Sequence, residues 1–332
     1  MSELIDRYGR RHTYLRISVT DRCNLRCTYC MPQEDMAWKR REEILSYEEI
    51  LRVARVAAGM GIEKVRITGG EPLVRMDIER LLAGLRSIPG LRTIGLTTNA
   101  VLLKRKLPTI RQSVDSLNIS LDTFHRDRFI ELTHRDALSD VLEGIEAALE
   151  AGYRNIKLNA VVIRGINDDE LCDFVQYTAS RPVAVRFIEF MPFAGNGWND
   201  AQCMPMNDIL EVIERDFELT RLPDDPSPIS RDFAVVNRST GVRHAGTVGV
   251  IASMSQPFCS SCSRLRLTAE GKVMPCLHSP LEFDLRAPLR SGAGDEALAQ
   301  VFLDAVGAKP KEHPEAEEML GQLNRVMIQI GG

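Results

Sequence analysis

Along the first two-thirds of the chain, apolar residues switch repeatedly between two spacings. Short apolar or alternating runs cover residues 14–19, 64–68, 93–97, 116–121, 155–163 and 184–190, and predict six strands. Between them the apolar spacing becomes helical. Ser46 and Glu49 form a capping box, each side chain taking a free amide at a helix start, and Ile50, Val53, Ala54 and Ala57 follow at helical intervals. Leu142, Ile145 and Leu149 mark a helix over 140–151, and 208–217 reads as another with Asn207 as its cap. Successive βα units imply a parallel sheet with helices outside it. Eight units close a barrel, so six predict an α/β fold of the incomplete (βα)6 TIM type, open on one side.

After about residue 218 the pattern changes. Residues 223–228 (PDDPSP) form a Pro/Asp-rich linker. Beyond it lie β-like runs at 233–237 and 246–251, then a group of cysteines and a helical tail. The expected division is a partial barrel over 1–217 and a small α+β domain over 218–332 that closes the open side.

Composition narrows the function classes. Of 332 residues, 44% are apolar, enough for a sizeable core, and the net charge of -4 argues against a dedicated nucleic-acid binder. Local basic pockets remain compatible with that balance. Residues 1–11 lack the apolar core of a signal peptide, and no run approaches the length of a membrane helix, so the expected location is the cytoplasm, with no membrane partner. In a reducing compartment, clustered cysteines read as ligands or catalytic groups rather than disulfides. Cys172 and Cys203 stand apart and read as ordinary thiols.

Cys23, Cys27 and Cys30 follow the first strand with C-x3-C-x2-C spacing, at the end of the strand where barrel enzymes place their active sites. Structural zinc wants four ligands, and so does a cubane cluster that only carries electrons. Three thiolates either await a distant fourth ligand or leave one iron open. Thr68-Gly69-Gly70-Glu71-Pro72 follows the second strand, where glycine lets backbone approach a ligand closely. Cys259, Cys262 and Cys276 form a second set, spaced C-x2-C-x13-C. His278 lies two residues beyond Cys276, so spacing alone equally allows a Cys3His zinc knuckle. Arg264 and Arg266 sit two apart on a segment that would point both the same way. Cations also lie on the predicted strands: Arg16, Lys64, Arg66, Lys157 and Arg186. Inward charges without a partner are costly, and together they favour an anionic ligand.

The C-x3-C-x2-C and GGEP runs resemble those of the radical S-adenosylmethionine superfamily. The second segment, from Pro257 to Cys276, looks like the C-terminal region of the GTP 3′,8-cyclases, and the closing Gly331-Gly332 matches that family's double-glycine end. The resemblance covers Arg16 to Gly332. It implies two [4Fe–4S] clusters, on Cys23, Cys27 and Cys30 and on Cys259, Cys262 and Cys276. It assigns S-adenosylmethionine to Tyr29, Gly70, Ser120 and Met191. It assigns GTP to Arg16, Lys64, Arg66, Thr97, Lys157, Arg186, Arg264 and Arg266, and a catalytic role to Gly331 and Gly332.

The activity so implied is radical cyclisation of GTP to 3′,8-cyclo-7,8-dihydro-GTP, the first step of molybdenum cofactor synthesis: a 5′-deoxyadenosyl radical removes hydrogen from C3′, and that carbon closes on C8. Implied partners are a low-potential electron donor and an accessory cyclic pyranopterin monophosphate synthase downstream, and a homodimer is compatible with the family. The rival readings are a radical enzyme with an auxiliary cluster acting on a peptide or other small molecule, and a non-enzymatic zinc or electron-transfer protein.

Overall fold

The computed structural model describes residues 2–31, 38–224, 227–322 and 325–331. Its strands are β1 (Tyr14–Ser18), β2 (Lys64–Thr68), β3 (Thr93–Thr98), β4 (Ser116–Ser120), β5 (Ile156–Val162), β6 (Ala184–Glu189), β7 (Phe217–Arg221), β8 (Arg231–Asn237), β9 (Arg243–Ile251), β10 (Arg264–Leu267), β11 (Lys272–Met274) and β12 (Phe283–Asp284). They form one sheet in the order β12-β11-β10-β1-β2-β3-β4-β5-β6-β9-β8-β7. The first six strands run parallel and side by side, as the βα rhythm predicts.

The C-terminal strands extend this same sheet at both edges. β10 adds parallel to β1, and β9 adds parallel to β6. Beyond them β11, β12, β8 and β7 continue as antiparallel flaps. The described strands therefore set eight parallel strands in a row without a closing pair between β9 and β10.

Each central strand alternates in the way this architecture requires. Leu15, Ile17, Val65, Ile67, Ile94, Leu96, Leu117, Ile119, Leu158, Val185 and Phe187 are buried in the core against the surrounding helices. The alternate positions point inward and are polar: Arg16, Arg66, Thr97, Asn118, Lys157, Asn159 and Arg186.

The capping box at Ser46 forms as read. Glu49 N donates to Ser46 Oγ (3.2 Å) and Ser46 N to Glu49 Oε2 (2.7 Å), opening the helix Tyr47–Gly59. The helix expected over 208–217 instead runs Met206–Glu214, with Asn207 inside it and Phe217 opening β7. A buried carboxylate takes over the capping role: Glu189 Oε1, from the end of β6, accepts from Met206 N (2.8 Å). The linker over 223–228 lies partly outside the described residues.

Candidate active site

A cavity of about 300 Å3 opens at the C-terminal ends of the parallel strands, and both cysteine groups line it. The GGEP turn shapes one wall. Gly70 N donates to Thr20 O (2.8 Å) and Glu71 N to Arg22 O (2.9 Å), so the turn lies against the backbone that leads into Cys23. A Cβ on Gly70 would approach the Arg22 carbonyl carbon to 2.7 Å and Asp21 O to 2.9 Å. Gly70→Ala is therefore expected to force the cysteine loop outward, costing about 1–3 kcal/mol as overpacking does. A lower melting temperature would report it; an unchanged one would contradict it.

Glu71 is wholly buried, and its side chain ties its own turn to the loop at the end of β3. It accepts from Leu73 N (2.9 Å), Thr98 Oγ1 (2.9 Å) and Asn99 N (2.7 Å). Burial pushes its carboxyl up to about 7 against the pull of those donors. Asn99 in turn directs Nδ2 at Cys23 Sγ (3.7 Å), and Leu25 N donates to the same sulfur (3.4 Å). Tyr29 OH donates to Asp122 Oδ2 (2.6 Å), whose other oxygen accepts from Val161 N (2.8 Å).

None of the cysteines is paired in a disulfide. Burial pushes the Cys23 thiol up to about 11, and burial with the neighbouring thiols raises Cys27 and Cys30 further. In the second group, burial opposes ionisation of Cys262, but Arg264 and Lys309 beside it bring the thiol down to about 6. Among the described residues, no three Cys, His, Asp or Glu side chains converge closely enough to hold one metal ion. His278 stacks on Phe193 (5.8 Å between ring centroids) and lies edge-on to His313 (5.2 Å).

The cavity that both cysteine groups line is largely apolar but carries cationic and polar side chains. Arg16, Thr97, Arg264 and Arg266 line it, as do Tyr29, Gly70, Ser120 and Met191. Arg66, Lys64, Lys157 and Arg186 occupy the same inward face without lining the cavity. Arg66 donates to Tyr14 OH (2.7 Å), Leu96 O (3.0 Å) and Ser116 Oγ (3.2 Å), and Lys64 Nζ stands 4.7 Å from the Tyr14 ring centroid. Arg186 pairs with Asp232 (2.9 Å).

These cations crowd one another. Burial, then the charges of Arg186, Arg66 and Lys64, lower Lys157 to about 8. Burial and neighbouring arginines likewise lower Arg16 and Arg266. Burial raises the Tyr14 phenol, but the surrounding cations outweigh it and bring it down to about 7. Crowded like charges of this kind are relieved by a polyanion.

The chain's own tail enters the same space. Gly331 O accepts from Thr68 Oγ1 (3.1 Å), Arg266 Nη1 (3.2 Å) and Arg16 Nη2 (3.5 Å). Ile330 is buried with Phe193 and Met274, while Met327 and Ile328 line the cavity. Gly332 lies outside the described residues.

Thr97 Oγ1, a position the sequence assigned to GTP, lines the cavity, buried and without a hydrogen-bond partner among the described residues, as a site for a polar ligand requires. Several other residues of this site escape sequence reasoning: Asn118 Oδ1 and Asn159 Oδ1 line the cavity in the same state. Asparagine on an inward strand position was the available signal. Gly95 gives Arg66 its bed: a Cβ there would meet the guanidinium carbon at 2.6 Å. Asp232 supplies a carboxylate to Arg186 from 46 residues away in sequence, and no local pattern announces it.

The open parallel sheet, with a three-cysteine loop after its first strand, is the arrangement that the resemblance to radical S-adenosylmethionine enzymes implies. The profile of the radical SAM superfamily matches residues 17–178, and that of the Molybdenum Cofactor Synthesis C family matches residues 183–315. The structure of Streptococcus suis SuiB bound to S-adenosylmethionine shares the fold, with TM-score 0.59, 15% identity, and coverage of 88% of this chain and 68% of that one.

At the sequence level the mitochondrial GTP 3′,8-cyclase of Arabidopsis thaliana is 45% identical over 99% of this chain and 83% of its own length. The GTP 3′,8-cyclase of Heliobacterium modesticaldum is 44% identical over 99% of this chain and 100% of its own length. Molybdenum cofactor biosynthesis protein 1 of Drosophila melanogaster is 45% identical, and this chain spans 56% of its length. The chain belongs to the GTP 3′,8-cyclase family.

Proposed function

We propose that the protein cyclises GTP to 3′,8-cyclo-7,8-dihydro-GTP in the first step of molybdenum cofactor synthesis. One observation carries this reading furthest: two three-cysteine groups line one cavity, with Arg16, Arg264 and Arg266 beside them. The donor sets suit iron–sulfur clusters rather than a single ion, since each offers three separate thiols, one to each of three irons, and leaves the fourth iron to a ligand that is not protein. Cys23, Cys27 and Cys30 would hold the first cluster, and Cys259, Cys262 and Cys276 the second. When bound, the first cluster supplies the electron that cleaves S-adenosylmethionine.

The chain's own residues position the reactants. Gly70 keeps its wall free of a side chain, and Tyr29, Ser120 and Met191 line the part of the cavity proposed for S-adenosylmethionine. Arg16, Arg264, Arg266 and Thr97 face the space proposed for GTP. Arg66, Lys64, Lys157 and Arg186 add positive potential from the same barrel face. Positioning of this kind is the larger part of what a protein adds to cofactor chemistry.

No helix among the described residues is long and apolar enough to cross a membrane. The unpaired thiols suit a reducing compartment, and the proposed location is the cytoplasm. The proposed partners are a low-potential electron donor, an accessory cyclic pyranopterin monophosphate synthase that consumes the product, and a second copy of the chain in a homodimer.

Arg266→Ala tests the substrate assignment. A hydrogen bond to a charged group contributes about 1.5–3 kcal/mol, so GTP affinity should fall roughly 10- to 150-fold while the first cluster and its S-adenosylmethionine binding persist. Equilibrium binding of GTP to the anaerobically reconstituted protein measures this. Unchanged GTP affinity would remove Arg266 from the substrate site.

A further inference from the structure

The second cysteine group is held by two buried cations that lie far from it in sequence. Lys309 follows the helix Asp295–Gly307 and is 2% exposed. Its Nζ donates to Arg264 O (2.6 Å) and to Pro275 O (2.6 Å). Arg264 lies two residues past Cys262, and Pro275 immediately precedes Cys276, so one ammonium joins two arms of the group.

Arg10 joins the third. Its Nη1 donates to Cys259 O (2.8 Å) and Lys311 O (2.8 Å), and its Nη2 to Pro310 O (2.6 Å). Arg10 is itself fixed by Asp6, through Nε to Oδ2 (2.6 Å) and backbone N to Oδ1 (2.9 Å). The N-terminal segment thus seats both Cys259 and the stretch that carries Lys309.

The two cations differ in how they are balanced. Arg10 has the carboxylate of Asp6. Lys309 forms no ion pair with a carboxylate among the described residues; burial disfavours its charge, and the groups that favour it are Cys262 and Cys276 in their thiolate form. A buried ammonium is costly unless an opposite charge compensates it. A neutral donor could bridge the two carbonyls as well, so the buried charge calls for an anion at the cysteines. An iron–sulfur cluster on three thiolates is such an anion.

We infer that Lys309, seated by Arg10, is the positioning cation of the second cysteine group, holding its arms together and stabilising the negative charge of a cluster bound there. The inference rests on the two-cluster reading above.

Its test uses the full chain with Cys23, Cys27 and Cys30 replaced by Ala, so that the second group alone reports. After anaerobic reconstitution with iron and sulfide, the readouts are iron and sulfide per chain, the rate of iron loss to a chelator, and the midpoint potential followed by electron paramagnetic resonance. Lys309→Met removes charge and hydrogen bonds; Lys309→Gln keeps a donor and removes only the charge. Both should shift the midpoint potential to more negative values, because a lost positive charge disfavours the reduced cluster, and Lys309→Met should lose iron at least threefold faster. Arg10→Lys keeps its charge and breaks the fork, so it should speed iron loss and leave the potential unchanged. Folded Lys309 variants with unaltered potential and iron retention would overturn the inference. If Lys309→Met fails to fold, the potential of Lys309→Gln decides. A parent chain that binds no iron would instead defeat the second-cluster assignment, and this inference with it.

Discussion

Deleting Gly331 and Gly332 is expected to leave a folded, cluster-binding protein whose yield of cyclised product falls by at least about 100-fold. The tail is anchored by apolar side chains upstream of the deletion, since Ile328 and Ile330 are each 1% exposed. Folding should therefore survive. What the deletion removes is a carbonyl that engages Arg16, Thr68 and Arg266, two of which are proposed GTP residues. Misplacement by about 1 Å can lower a rate 10²-fold, and Arg266 would lose this acceptor. Gly331 also adopts a φ of 83°, and a Cβ on it would meet the Ser18 Cβ at 2.8 Å. Gly331→Val should thus reproduce much of the loss with the chain at full length. Product yield is to be read beside iron content and melting temperature. A truncated protein with full product yield would show that the tail is not part of the catalytic arrangement.

The second large effect separates the two cysteine groups. Cys262→Ala should roughly halve the iron bound and abolish GTP cyclisation, while S-adenosylmethionine binding at the first group persists. Cys27→Ala should remove S-adenosylmethionine cleavage altogether, because no iron would then remain open to it on that side. The two groups line the same cavity but hang on different supports: the first on the loops after β1, β2 and β3, the second on β10 and the 309–311 segment. Each is therefore expected to survive loss of the other. Iron and sulfide assays with S-adenosylmethionine binding would show the split. Loss of all iron in Cys262→Ala would mean that the two groups are not independent.

The sheet's parallel core was legible because each strand carries its apolar residues on one side, and Leu15, Ile17, Val65 and Ile67 fall where helices cover them. The inward cations were legible for the opposite reason, since a charge on a barrel strand needs a partner. The attachment of β9 beside β6 and β10 beside β1 was not legible. Those pairings join residues up to 250 positions apart, as in Tyr14 with Arg264, and strand periodicity says nothing of which edge a strand will find.

The same holds for the side chains that brace the site. Glu189 accepts from Met206 N, Met254 N and Ser255 N, so a strand-end carboxylate fixes both a helix start and the loop leading to the second cysteines. Arg325 pairs with Glu270 and Glu282 at the base of the tail, and Lys39 meets Glu270 from the other side (3.0 Å). Such pairs read in sequence as ordinary surface charges until the fold brings them together. The candidate ligands were legible from their spacing, whereas their supports were not.

The measurement that bears most directly on the whole account is anaerobic turnover of the reconstituted protein with dithionite, S-adenosylmethionine and GTP, with 5′-deoxyadenosine and nucleotide products quantified together. The account predicts 5′-deoxyadenosine that depends on GTP, accompanied by an equal amount of cyclised GTP. Equal 5′-deoxyadenosine with and without GTP, and no cyclised nucleotide, would contradict it.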